Sequence, residues 1–174
     1  FPMTRDKKRL RKSWEENAEK VIASIKKGLD VAFITLGDPM TYSTFGYLMS
    51  TIKEMDPGIP VKIIPGITSY QAASASVGQL LAEGDESLTI VSGDPGAKEL
   101  KDIIDHSDTV IMLKVYHNFR EIMRTLGELN LSSKAILISH SGLNEEEIVQ
   151  DLKNYPKKNP PYLSLLLIRK KAKI

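Results

Sequence analysis

The sequence predicts an α/β protein, and three observations carry that prediction. First, an apolar and partly β-branched run, Val31-Ala32-Phe33-Ile34-Thr35-Leu36, breaks at Gly37-Asp38-Pro39. Apolar residues at helical spacing follow it: Tyr42, Phe45, Leu48, Met49 and Ile52. Second, the same order of strand, glycine turn and helix recurs at Val61-Lys62-Ile63-Ile64, Pro65-Gly66-Ile67-Thr68-Ser69 and Gln71-Ala72-Ala73-Ser74-Ala75-Ser76. Third, strand-type runs at 88–91, 109–114, 135–138 and 162–169 alternate with helical or loop patterns. Gly78, Gly84, Glu83, Asp85 and Glu86 interrupt the pattern and mark a linker. Two unequal halves follow, about 1–80 and 86–174, each with a mostly parallel or mixed sheet flanked by helices.

Composition narrows the class. Charged residues make up 26% and apolar residues 41%, ordinary values for a globular protein. Cysteine is absent, which excludes disulfides and thiolate metal sites. No apolar run approaches membrane-spanning length, and no secretory signal pattern occurs. A net charge of +2 gives no argument for nucleic acid. The charge is unevenly spread. Arg5, Lys7, Lys8, Arg9, Arg11 and Lys12 stand against Asp6 at the start, and the chain after Asp151 carries no acid.

Taken in order, Thr4 is placed to cap a first helix that runs to about Lys27. Leu10, Trp14, Ala18, Val21, Ile22 and Ile25 give it one apolar stripe, and Gly28 ends it. Cations crowd its first turns and oppose the helix dipole. The basic run reads either as a solvated face or as a docking surface for a polyanion. In the turn at Gly37, Pro39 cannot donate to a ladder, and glycine permits a tight turn or close approach. Asp38 then lies at a strand's carboxyl end, where open α/β sheets bind ligands. An ordinary loop, with Asp38 satisfying loop amides, is the plainest reading. A nucleotide phosphate loop has little support, since neither G-x-G-x-x-G nor G-x-x-x-x-G-K-[ST] occurs. Thr68 or Ser69 is placed to cap the small-residue helix that follows.

In the second half the strand at 88–91 turns at Gly93-Asp94-Pro95-Gly96, ordinary turn chemistry rather than a repeat of the first. A helix from about Lys98 to Asp105 leads to the strand at 109–114. Asn118 is placed to cap a helix to about Glu128. Ala135-Ile136-Leu137-Ile138 is the next strand, then Ser139-His140-Ser141-Gly142. Asn144 with Glu147 resembles a capping box and predicts a helix to Lys153. The Leu-rich run at 162–169 predicts a central or well-covered strand. His106, His117 and His140 share no helical spacing, so a three-histidine metal site needs long-range folding. No G-x-S-x-G and no cysteine nucleophile support covalent hydrolysis. Tyr42 and Tyr116 read first as packing residues.

Leu36-Gly37-Asp38-Pro39-Met40-Thr41-Tyr42-Ser43-Thr44 resembles the glycine-aspartate-proline loop of the tetrapyrrole (precorrin) methylases. Pro65-Gly66-Ile67-Thr68-Ser69 resembles their second hallmark. The Tyr-Ser-Thr ending and the opening Phe1-Pro2-Met3-Thr4-Arg5-Asp6 are most like the branch acting at C20 of precorrin-2 or its cobalt form. Met112 to Tyr116, Ser139 to Leu143 and Tyr162 to Leu167 also resemble second-domain segments of that branch. The family's opening strand and Gly-Pro-Gly-rich loop, which line the tetrapyrrole side of its cleft, have no counterpart in these residues.

The resemblance implies a two-domain fold with a cleft for S-adenosylmethionine (product S-adenosylhomocysteine). It implies methyl transfer to a tetrapyrrole carbon in corrin (cobalamin) synthesis, in a cytoplasmic homodimer with neither nucleic acid nor membrane as partner. An electron-rich ring carbon attacks the sulfonium methyl, so the protein needs no activated nucleophile of its own. Cofactor contacts are implied at Leu36, Gly37, Asp38, Tyr42, Ser43, Thr44, Thr68, Ser69, Tyr116, Ser141 and Ser164, and substrate contacts at Arg5 and Arg9. No general base and no metal ligand is identified. A methylase acting at another carbon or on another substrate, and a non-catalytic scaffold with a relic cleft, are the alternatives.

Overall fold

Three short runs buried along nearly their whole length, 109–113, 135–139 and 164–169, build a sheet core. The computed structural model describes residues 1–2, 4, 6–93, 99–156 and 158–170. Two compact units divide the chain, Phe1–Thr68 and Ser69–Ile174.

In the second unit β1 (Leu88–Ser92), β2 (Thr109–Leu113), β3 (Ala135–Ser139), β4 (Glu147–Val149) and β5 (Ser164–Arg169) form one sheet. Its order is β1-β2-β5-β3-β4. β1 and β2 are parallel, and the other three pairings are antiparallel. The Leu-rich β5 is therefore central, as its composition predicts. Val110, Met112, Leu137, Leu166 and Ile168 face one side, against α4 (Leu100–Asp105) and α5 (Phe119–Glu128). Ile111, Ile136, Ile138, Leu165 and Leu167 face the other, where Ala73 of α3 (Ser69–Val77) packs. The side-chain period of two thus makes a sheet with helices on both faces.

Helix α3 and the stretch after it join this sheet, although the sequence assigns residues up to 80 to the first half. Two contacts explain the difference. Ala73, with no exposed surface, lets the helix backbone approach the sheet closely. Beyond it, Arg169 of β5 donates to the Leu80 carbonyl at 3.0 Å and to the Glu86 carboxylate at 2.9 Å. The stretch that reads as a linker is strapped to the central strand by a buried ion pair.

The first unit is helical. α1 (Lys7–Lys26) packs its Ala18 and Ile22 against Leu48 and Ile52 of α2 (Phe45–Met55), with Ile59 closing the cluster. Trp14 stacks on Tyr47 with ring centroids 4.5 Å apart. The α1 cap is Asp6 rather than Thr4. Its carboxylate accepts from the backbone N–H groups of Lys8 and Arg9, while the Thr4 hydroxyl accepts from Asp6 N–H. An acid at this end also offsets the dipole that the cations oppose.

Two expected strands are not there. Residues 31–36 and 61–64 carry no strand, and among the described residues no backbone ladder joins either to a neighbour. Ile34 is 90% exposed and Leu36 80%. A strand exists only by pairing, and strand propensity alone does not supply the partner. A third correction lies at residues 144–153, where the expected helix is replaced by β4 and a 3-10 turn at Leu152–Asn154. Val149 and Ile148 pair with Leu137 and Ile138 of β3, and the hairpin outcompetes the weak capping signal. No helix of the described residues is long and apolar enough to cross a membrane.

Candidate functional site

Each unit brings its own set of expected residues together. In the first, Gly37 (φ 77°) turns the chain at the end of the apolar run. Asp38 then reaches across to the second glycine turn. One carboxylate oxygen accepts from Met40 N–H at 2.8 Å and from the Thr41 hydroxyl at 3.3 Å. The other accepts from Gly66 N–H at 3.0 Å. These bonds, the Gly66 N–H first and the Met40 N–H second, hold the Asp38 pKa below its ordinary value. A Cβ built on Gly66 would collide with the Gly37 carbonyl oxygen, so only glycine allows the approach. The ordinary reading of Asp38 as a loop-amide acceptor is therefore what the geometry contains.

The residues after it divide. Ser43 accepts from Phe45 N–H at 3.2 Å and starts α2. Thr44 occupies the cap position without a side-chain bond. Tyr42 stands in the loop before α2, not on the helix, and holds φ at 52°. That region is unfavourable for a bulky side chain. Thr68 is buried, and the exposed Ser69 opens α3.

In the second unit the carboxyl ends of β2 and β3 and the start of β5 lie at one end of the sheet, because β5 runs antiparallel to both. Three expected residues meet there. Tyr116 packs on Tyr162 at 5.0 Å and on His117 at 3.9 Å. Ser164 faces Ser139 across the ladder, with their hydroxyl oxygens 2.8 Å apart. The Ser141 hydroxyl oxygen is buried with no hydrogen-bond partner. Lys114 (φ 56°) and His140 (φ 52°) hold left-handed backbone conformations immediately after β2 and β3. Gly93 closes on the first of these turns: a Cβ there would lie 3.0 Å from the Leu113 carbonyl oxygen. Asn118, at the cap position of α5, makes no cap bond and donates instead to the Gly93 carbonyl at 3.4 Å. The remainder of the second Gly-Asp-Pro turn lies outside the described residues.

Sequence reasoning missed Glu146. One of its carboxylate oxygens accepts from Gly142 N–H at 3.3 Å and the Ser76 hydroxyl at 3.4 Å; the other is buried without a partner. The available signal was an acid four residues beyond a strand-end glycine, which the capping-box reading assigned to its neighbour Glu147. Among the described residues no group of three His, Asp or Glu side chains is placed to hold a metal. Arg5 lies outside the described residues, and Arg9 is exposed on the first turn of α1. Arg11 is committed to Glu15 and Glu54, which raise its pKa, and Lys12 pairs with Glu16. Those two cations belong to a solvated face.

Glycine-bearing turns and orphaned polar atoms at strand ends of an α/β protein mark the ligand end of a sheet enzyme. Comparison with known proteins gives the family. The model of the tetrapyrrole (corrin/porphyrin) methylases matches residues 1–154. A probable cobalt-precorrin-2 C(20)-methyltransferase of Methanocaldococcus jannaschii is 38% identical over 98% of this chain and 70% of its own length. A cobalt-precorrin-2 C(20)-methyltransferase of Salmonella typhimurium is 32% identical over 98% of this chain and 71% of its own. Among solved structures, a cobalt precorrin-4 methyltransferase superposes with a TM-score of 0.72 at 20% identity, covering 90% of this chain and 70% of that one. A uroporphyrin-III C-methyl transferase of Thermus thermophilus, complexed with S-adenosyl homocysteine, does so with a TM-score of 0.63 at 20% identity, covering 88% and 72%. The chain belongs to the tetrapyrrole methylases, a methyltransferase family whose activity depends on S-adenosylmethionine.

Proposed function

We propose that this protein transfers a methyl group from S-adenosylmethionine to C20 of precorrin-2 or its cobalt form, in cobalamin biosynthesis. The observation that carries the reading is that two relatives matched over 98% of the chain, at 38% and 32% identity, are both named for that position. Relatives named for C11 of precorrin-4 match less of the chain, at 27% and 26% identity.

The residues present fit the cofactor's chemistry. The buried and unpartnered Ser141 hydroxyl and Glu146 carboxylate oxygen suit a ligand rich in hydroxyl and amino groups. The candidate cofactor residues are Leu36, Gly37, Asp38, Tyr42, Ser43, Thr44 and Thr68 in the first unit, and Ser69, Tyr116, Ser141 and Ser164 in the second. When bound, the cofactor supplies an electrophilic methyl group on sulfur. The chain's own task is orientation and exclusion of water, with rings such as Tyr116 and Tyr162 covering apolar surface and hydroxyls fixing polar groups. The exposed Arg9, with Arg5, steers a substrate carrying many carboxylates. The enzyme is a cytoplasmic homodimer.

Calorimetry with S-adenosylhomocysteine is expected to give one site per chain. Incubation with methyl-labelled cofactor and precorrin-2, with and without cobalt, is expected to label C20 by NMR. Absence of cofactor binding by the folded protein overturns the reading, and label at another carbon moves it to another branch. Light scattering at micromolar concentration tests the dimer, and a monomer counts against it. Arg9→Gln is expected to raise KM for the tetrapyrrole and flatten the salt dependence of kcat/KM, with cofactor affinity unchanged.

A further inference from the structure

We infer that Lys114 is a substrate contact, its ammonium placed at the ligand end of the second unit's sheet to meet a carboxylate of the tetrapyrrole. The inference rests on the proposed function for the substrate's carboxylates, and on geometry for the placement. Lys114 is the first residue after β2, at the end of the sheet where β3 also finishes and β5 begins. The Tyr116–Tyr162 ring pair and the Ser139–Ser164 hydroxyl pair gather at that end. Lys114 is exposed, and among the described residues its ammonium has neither an ion pair nor a hydrogen bond. By contrast Arg124, Lys134, Arg169 and Lys170 of the same unit are each engaged by an acid or a carbonyl.

The backbone beneath the side chain supports the assignment. Lys114 holds φ at 56°, a left-handed conformation that costs any residue with a Cβ. Asparagine or aspartate can offset that cost with a local hydrogen bond, and the lysine side chain makes none. The turn is instead enforced by its neighbours. Gly93 N–H donates to the Leu113 carbonyl, and Asn118 donates to the Gly93 carbonyl at 3.4 Å. A Cβ on Gly93 would stand 3.0 Å from the Val115 Cα and 3.2 Å from the Lys114 carbonyl oxygen. An unfavourable conformation imposed from outside, on an unpaired cation at a ligand end, points to strain held for function. A compact ammonium on a flexible stem also suits a substrate with several carboxylates, since it can follow one of them without the fixed angles of a guanidinium.

The experiment compares Lys114→Asn with Lys114→Arg, assayed with S-adenosylmethionine and precorrin-2. Asparagine removes the charge and tolerates the left-handed backbone better than lysine, while arginine keeps the charge on the same backbone. The contrast therefore separates charge from conformation. Lys114→Asn is expected to raise KM for the tetrapyrrole about tenfold, the scale of one hydrogen bond to a charged group, and Lys114→Arg to stay within about threefold of the wild type. Calorimetry with S-adenosylhomocysteine is expected to give wild-type affinity for both variants. Urea denaturation is expected to place the Lys114→Asn midpoint no lower than that of the wild type. If Lys114→Asn does not fold, Lys114→Gln removes the same charge and carries the same expectation. A wild-type KM in the uncharged variant overturns the inference and returns the side chain to solvent. Equal losses in the Asn and Arg variants overturn it too, because the turn rather than the charge is then responsible. So does a loss of S-adenosylhomocysteine affinity in Lys114→Asn, which would put the side chain at the cofactor.

Salt separates a contact from steering at a distance. At about 1 M salt the Debye length is ~3 Å, and attraction between separated surface charges is screened out. The KM ratio of Lys114→Asn to wild type is expected to stay above about threefold under that condition. A ratio that falls to unity there overturns the contact. The position of the methyl label keeps the two readings apart. Label at a carbon other than C20, with the Asn and Arg variants differing as expected, fails the proposed function and leaves the contact standing. Label at C20 with no difference between the variants does the reverse.

Discussion

Two apolar runs of the same kind meet opposite fates in this molecule. Residues 31–36, Val-Ala-Phe-Ile-Thr-Leu, and Ala135–Ser139, Ala-Ile-Leu-Ile-Ser, are both strand-like, and both end in a turn that holds a left-handed residue. The second run pairs on both sides, with β5 and β4, and every residue in it is buried. The first pairs with nothing among the described residues, and its side chains are exposed. Composition is shared, so composition is not the cause. The second unit offers a ladder, two helices on one face and α3 on the other. The first offers a packed pair of helices and a side-chain lock between turns.

The largest expected effect breaks the well-ordered half at its charged strap. Arg169 is 5% exposed at its side chain and Glu86 7%, with 2.9 Å between them. Arg169→Ala leaves a carboxylate without its cation in a dry site and is expected to cost about 3–5 kcal/mol. Urea denaturation measures it. A loss under about 1 kcal/mol would mean the strap is solvated in solution. Arg169→Met is expected to lose less when combined with Glu86→Gln, since no uncompensated charge then remains.

Next comes a direct contrast between the halves. Leu166, at the middle of β5 with no exposed surface, is expected to cost about 2–5 kcal/mol on truncation to Ala, from lost burial plus the cavity left behind. Ile34→Ala is expected to stay within about 0.5 kcal/mol, because an exposed side chain has little burial to lose. Equal costs would show that residues 31–36 are covered in solution. Amide exchange sharpens the same point: residues 164–169 should exchange only on global opening and residues 31–36 within the dead time.

How far the sequence could be read follows from the same physics. Periodicity finds α1 and α2 because each covers an apolar stripe that is written in the chain, while α3 is legible from its run of small residues after a glycine turn and α5 from the cap signal at Asn118. It found all four long strands of the second unit, including the central place of β5, because their runs are apolar on both faces. It could not find which runs would obtain partners, so residues 31–36 and 61–64 were read as strands. It also mistook the region around Glu147 for a helix start, since a capping box is a weak local signal beside a hairpin with β3. In the candidate site, the motif-bearing turns at Gly37 and Gly66 were legible, but their joining through Asp38 was not, because that bond is made across the fold. The buried oxygens of Ser141 and Glu146 are visible only once β3 and its turn are built.

The smallest effect concerns backbone strain, which appears in both halves. Tyr42 in the first unit and Lys114 and His140 in the second hold φ between 52° and 56° without being glycine. The αL region costs an L-residue about 1–2 kcal/mol. Glycine removes that cost but adds about 0.5–1 kcal/mol of unfolded-state freedom. At His140 the two backbone bonds that frame the turn do not need a side chain: His140 N–H donates to the Leu163 carbonyl at 2.7 Å, and Leu143 N–H donates to the His140 carbonyl at 2.9 Å. His140→Gly should therefore keep the turn and raise stability by about 0.5 kcal/mol. A higher urea midpoint with an unchanged slope is the expected result. If the imidazole contributes to ligand binding, the same variant weakens S-adenosylhomocysteine while the apo protein becomes more stable, the pattern of strain kept for function. A variant that is less stable by more than about 1 kcal/mol would mean that the imidazole's own contacts outweigh the strain. The turn after β3 would then be held by its side chain, as the turns at Gly37 and Gly66 are held by Asp38.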